Sequence, residues 1–107
     1  MTDQEQQEYY RLDKESRRAY ERGKVEHPNW GHSQLMVYAK VNGNLAKSLD
    51  EGGKDTDPKN LLGTILQQAK EWLSQFTSIG KRILDKIDNA ISSIGSFVGD
   101  IFDLIFG

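Results

Sequence analysis

From Leu62 to Leu104 an apolar residue or a glycine returns at alternating steps of four and three: Leu62, Leu66, Ala69, Leu73, Phe76, Gly80, Ile83, Ile87, Ala90, Ile94, Phe97, Ile101 and Leu104. The register holds for six heptads without a slip. Such a repeat keeps one stripe of a helix turned toward a partner along its whole length. The C-terminal half of the chain is therefore built to bury one helical side. Little in the other half is apolar enough to cover it.

Composition sharpens that constraint. Of the 107 residues only 36% are apolar, so one chain can build no more than a modest core. Cysteine is absent, which excludes disulfide staples, thiolate metal sites and a cysteine nucleophile. A small chain with a thin core and no staples usually relies on a neighbour. The net charge of −2 gives no reason to expect nucleic acid. Residues 87–107 hold Asp88, Asp100 and Asp103 and no basic residue, so the C-terminal end is acidic.

The N-terminal segment MTDQEQQEYYRLDKE lacks the apolar stretch of a signal peptide. Synthesis in the cytoplasm is the expectation, with later packaging in a particle or association with a membrane left open. Thr2 and Glu5 have capping-box spacing, and the helical composition that follows runs to about Arg22, with Gly23 as a stop. Glu8 with Arg11, Asp13 with Arg17, and Arg17 with Glu21 sit at helical pairing distances. The loop at 24–32 contains Pro28 and Trp30, and Trp30 is expected to anchor it against a helix.

Ser33 is a plausible N-cap for a second helix to about Leu49, with Leu35, Ala39, Asn42, Ala46 and Leu49 on one face. A hairpin turning at Asn42-Gly43 is the rival reading. The sequence thus divides into a polar helical region (1–50), a charged, glycine-containing linker (51–57) and a long amphipathic region (58–107). Asp57-Pro58 reads as an N-cap followed by proline at the first helical position.

The expected fold class is all-α: two short N-terminal helices, then one long amphipathic helix or a pair broken near Gly80. Unbroken, residues 58–106 would extend ~70 Å. The glycines at 63, 80, 95 and 99 suggest a hinge or the close approach of another backbone. The expected interface consists of Leu62, Leu66, Leu73, Phe76, Ile83, Ile87, Ile94, Phe97, Ile101 and Leu104. The stripe can be covered by the chain's own second helix, by copies or other proteins, or by a lipid interface. Against lipid, the polar face beyond Lys86 carries only acids, whereas interfacial helices favour lysine and arginine there.

Little else suggests chemistry. His27 and His32 are read as exposed loop histidines without a further ligand cluster, Ser33 has no identifiable buried acid, and no phosphate-binding glycine loop is present. Arg17, Arg18 and Arg22 are offset by Glu15 and Glu21. The reading is a non-enzymatic helical assembly subunit, for example of a virion or an injection machine, without cofactor, metal or small-molecule substrate. Its partners would be copies of itself or other proteins. A membrane-active, toxin-like protein and a soluble adaptor or inhibitor are the alternatives.

Overall fold

In a computed structural model, residues 1–51 and 58–106 can be described; they form six helices and no strand. The chain divides into two compact units, Met1–Gly52 and Gly53–Gly107. The Asp57 cap and most of the expected linker lie outside the described residues.

In the first unit the sequence expectation of one helix to Arg22 is replaced by two, α1 (Asp3–Arg11) and α2 (Lys14–Glu26). The α1 start is the expected capping box: the Glu5 N–H donates to Thr2 Oγ1 at 3.1 Å, and the Thr2 N–H to Glu5 Oε1 at 2.8 Å. The Thr2 N–H also holds the Glu5 carboxyl below its ordinary range. The break falls at Leu12 and Asp13, both extended. Leu12 is driven inward, only 2% exposed, and Asp13 caps the new helix by accepting from the Ser16 N–H at 3.0 Å. Burial of one leucine and one new cap together outweigh the continuity of the charge pattern.

Gly23 does not stop α2. It lies inside the helix, where an added Cβ would meet Tyr38 Cδ1 at 2.9 Å, so its smallness lets α2 approach α3 (His32–Asp50). Residues 33–49 are helical and the hairpin reading is overturned. The cap is Gly31 rather than Ser33: the Gln34 side chain reaches back to accept from the Gly31 N–H at 2.9 Å. Trp30 fulfils its anchoring role, stacked on His27 at 3.7 Å and edge-on to Tyr38 at 5.7 Å.

The α2 and α3 helices run antiparallel. Asp13 pairs with Lys47 at one end, Ser16 packs on Gly43 in the middle, and Gly23 meets Leu35 and Tyr38 at the other end. Leu35 and Ala39 are buried as the face predicted, and Met36, Val37 and Val41 are buried with them. Leu49, expected on the same face, is 61% exposed.

The second unit corrects the long helix. Residues 58–106 form α4 (Pro58–Leu73), α5 (Gly80–Ser93) and the short α6 (Ile101–Phe106). The break near Gly80 is present, and a second one follows Ser93. Hydroxyl and amide side chains take the carbonyls that continuous helix would use: Ser74 Oγ donates to the Glu71 carbonyl at 2.6 Å, and Gln75 Nε2 to the Trp72 carbonyl at 2.9 Å. Gly80 then adopts φ +78°, where a side chain would be strained. Asp100 restarts the helix, its Oδ1 accepting from the Phe102 N–H at 2.8 Å.

Folding back lets one half of the stripe cover the other. Leu66, Ala69 and Leu73 of α4 are buried, as are Ile87 and Ala90 of α5, Phe76 and Ile79 of the turn, and Ile101 and Ile105 of α6. Lys70 Nζ bridges α4 and α5 to Asp88, 2.6 Å from Oδ1. No helix among the described residues is long and apolar enough to cross a membrane.

Candidate interaction surface and a buried polar network

The ten positions expected at an interface separate into two sets. Leu66, Leu73, Phe76, Ile87 and Ile101 are buried within the chain and serve as core. Leu62, Ile83, Ile94, Phe97 and Leu104 are only half-buried. Outside the expected set, half-buried Leu84 and Ile91 and fully displayed Val98, at 93% exposure, carry apolar surface on the second half of the region.

Leu84 and Ile91 share one side of α5, whereas Gly95 and Val98 lie beyond the helix end at Ser93 and continue the spacing in sequence only. Lys81, Leu84, Asp88, Ile91, Gly95 and Val98 succeed one another at steps of three and four. Within α5 such steps align side chains along one side. Here α4 and α5 enclose an open groove of about 530 Å³, with Gly63, Ile91 and Ile94 on its walls and Asn60, Thr64, Gln67 and Gln68 along its rim. A Cβ added at Gly63 or Gly95 would meet no atom within 4 Å. Among the described residues no other part of this chain crowds the Cβ position of either glycine. The Lys59 ammonium donates to the Gly95 carbonyl at 2.9 Å across one end.

The first unit holds a different feature, a polar network inside the fold. Glu8 of α1, Tyr20 of α2 and His32 at the start of α3 meet away from water, Glu8 and Tyr20 being 4% and 2% exposed. The His32 Nε2 lies 2.9 Å from Glu8 Oε1, and the Tyr20 hydroxyl 2.8 Å from His32 Nδ1. A carboxylate only accepts, so Nε2 carries the proton facing Glu8. In the neutral ring Nδ1 then accepts from the Tyr20 hydroxyl, and Gln4 Nε2 donates to the second Glu8 oxygen at 3.3 Å. Burial, reinforced by the charges of Glu5, Glu21 and Glu8, pushes the Tyr20 hydroxyl up to about 12.

The expectation of an exposed loop histidine at 32 is therefore corrected: His32 and Glu8 are inward partners. In sequence they are 24 residues apart, and neither the thin apolar pattern of α1 nor any local motif singles them out. A Tyr–His–Glu chain has the order of a proton relay, but all three groups are enclosed and the raised tyrosine resists ionisation. What the arrangement does is join α1 to the α2–α3 pair.

The basic residues Lys14, Arg17 and Arg18 line a shallow groove of about 450 Å³ with Tyr9 and Glu21. Arg18 pairs with Glu15 at 3.5 Å, and Glu21 pairs with Lys24 at 3.6 Å and raises the Tyr9 hydroxyl through a hydrogen bond, secondary to burial. Basic and acidic groups alternate here. Among the described residues no three histidine, aspartate or glutamate side chains are grouped to hold a metal ion. No known protein family, curated protein or solved structure matches this chain.

Proposed function

We propose that this protein is a non-enzymatic helical assembly module, and that it binds protein through the α4–α5 face of its second unit. The observation that carries this reading is the apolar surface left by half-buried Leu84 and Ile91 on α5 and by exposed Val98 beyond it, although the same unit buries eleven other apolar side chains. Each large apolar group moved from water into an interface contributes on the order of 1–2 kcal/mol. A face of this kind, bordered by Asn60, Thr64, Gln67 and Gln68 and by Lys59 at one end, suits protein contact. The acids at 88, 100 and 103, with no basic residue from 87 onward, disfavour an anionic membrane as the surface it meets.

The test is the mass of the full chain in solution, with hydrogen exchange read along residues 80–98, with and without vesicles of neutral or anionic lipid. A stable self-complex or heterocomplex that protects this segment supports the reading. A monomer that binds vesicles and causes leakage overturns it in favour of membrane action.

A further inference from the structure

We propose that the groove lined by Tyr9 of α1 and by Lys14, Arg17, Arg18 and Glu21 of α2 is a second docking site, and that it takes an acidic peptide segment of a partner protein. This goes beyond the contact assigned to the second unit and stands independently of it.

Arg17 is the centre of the site. Asp13 and Glu21 stand at helical pairing distances from it, yet the fold uses both elsewhere. The Asp13 carboxylate accepts from the Ser16 N–H and pairs with Lys47 of α3. Glu21 pairs with Lys24 and holds the Tyr9 hydroxyl. Among the described residues the Arg17 guanidinium is thus left with no ion pair or hydrogen bond, although the residue is half-buried. Such a group keeps its planar fork of donors for an incoming oxyanion.

Two further cations join it. Lys14 precedes Arg17 by three residues in the same lining, and among the described residues its ammonium too has no carboxylate partner. Arg18 contacts Glu15 at 3.5 Å between side chains 63% and 40% exposed. A pair of that kind is weak enough to be exchanged for another carboxylate.

Two features select a peptide over a phosphate group or a nucleic acid. The groove is open and about 450 Å³, much larger than one phosphate. Glu21 is also part of its lining, so a polyanion of phosphates would meet a like charge there. A peptide instead brings amide N–H donors that this carboxylate can accept, along with side-chain carboxylates for Arg17 and Lys14. The Tyr9 ring offers the chain an apolar wall beside these charges.

The experiment titrates the full chain by calorimetry with an end-blocked hexaglutamate peptide, and separately with pyrophosphate and with a single-stranded oligothymidylate. The peptide is expected to bind, more weakly as salt rises, and to shift the backbone amide resonances of residues 9–21. Arg17→Gln should weaken binding at least about fivefold, and exposed Lys14→Gln should act in the same direction. Arg17 has no ion pair to lose in the fold, so its variant should keep the parent's melting temperature. Arg22→Gln removes the same charge from a side chain that turns to Tyr38 instead, and should change the affinity by less than about twofold.

No peptide binding at millimolar concentration overturns the proposal. So does equal weakening by Arg17→Gln, Lys14→Gln and Arg22→Gln, which marks diffuse attraction without a site. Pyrophosphate or the oligonucleotide binding more tightly than the peptide overturns it in favour of a phosphate-bearing partner.

Discussion

The Glu8 carboxylate and the His32 imidazole meet at 2.9 Å across 24 residues of chain, and this pair ties the first helix of the protein to its third. Little else could. The α1 segment offers Tyr9 and Tyr10 as its only large apolar groups before Leu12, and Tyr10 is 60% exposed. Its docking depends on Leu12, on the Tyr9–Tyr20 edge contact at 4.9 Å, and on the polar network.

Removing one member should therefore cost more than the bond is worth. His32→Ala takes the imidazole donor from Glu8 Oε1 and the acceptor from the Tyr20 hydroxyl at a buried site. The expected loss is about 2–4 kcal/mol in a denaturation titration. Glu8→Leu combined with His32→Phe removes both polar partners and should recover much of that loss. Equal instability of the double and single variants would show that the network is held by geometry the hydrophobic pair cannot reproduce.

Tyr20 supplies a pH dependence whose sign is fixed by its environment. Its hydroxyl is raised from the ordinary value of 10.0 to about 12. Between those values the unfolded chain has released a proton that the folded protein retains. Stability is thus fully present below pH 10 and declines as the pH rises toward 12, by on the order of 1–3 kcal/mol. Chemical denaturation at successive alkaline pH values checks this. Tyr20→Phe should flatten that part of the profile, and an unchanged slope in the variant would assign the loss to another group.

A third expectation concerns the closest approach of two helices. A Cβ placed on Gly43 would come within 2.9 Å of the Ser16 Cα, a backbone atom that cannot swing aside. Gly43→Ala should cost about 1–3 kcal/mol despite the better helix propensity of alanine. At the same contact the Ser16 hydroxyl is buried without a hydrogen-bond partner among the described residues. Ser16→Ala should be neutral or stabilising by up to about 1 kcal/mol, since it removes an unanswered polar group. Thermal unfolding of the two variants measures both effects, which should have opposite signs.

What could be read from the sequence follows from the range of each signal. Helix type, the Thr2–Glu5 box, the anchoring by Trp30 and the break near Gly80 are local, and their causes lie within a few residues of each other. The heptad register marks Leu66, Leu73, Phe76, Ile87 and Ile101, which are buried, together with Leu62, Ile83, Ile94, Phe97 and Leu104, which are only half-buried. It cannot say that the cover is the other half of the same register, because a stripe reads alike whether the chain runs straight or reverses. The turn depends on Ser74, Gln75 and Gly80 acting together, and each is individually tolerable in a helix. The split at Leu12 was hidden for a related reason, since a charged segment with good helical pairs gives no sign that Asp13 prefers capping to pairing. The Glu8–His32 contact, and with it the tethering of α1, was beyond any local rule.

The reversal at Gly80 gives the last prediction, because the straight helix written into the register is the natural competitor of the hairpin. Gly80 at φ +78° is comfortable only without a side chain, so Gly80→Ala strains the turn by about 1–2 kcal/mol. The same change removes the penalty of up to ~1 kcal/mol that glycine carries in a helix interior. Both effects act in one direction, and together they favour continuity between α4 and α5. An extended form would expose the stripe from Leu66 to Ile87, which a second chain could cover by exchanging halves. The chain has no cysteine, so a pair introduced at Gln67 and Ser92 can carry distance probes. With labelled chain diluted into unlabelled, the parent should show one short separation. Gly80→Ala should add a long-distance population and lower the melting temperature. An unaltered distance distribution, together with an unaltered melting temperature, would show that the hairpin does not depend on the freedom of this glycine.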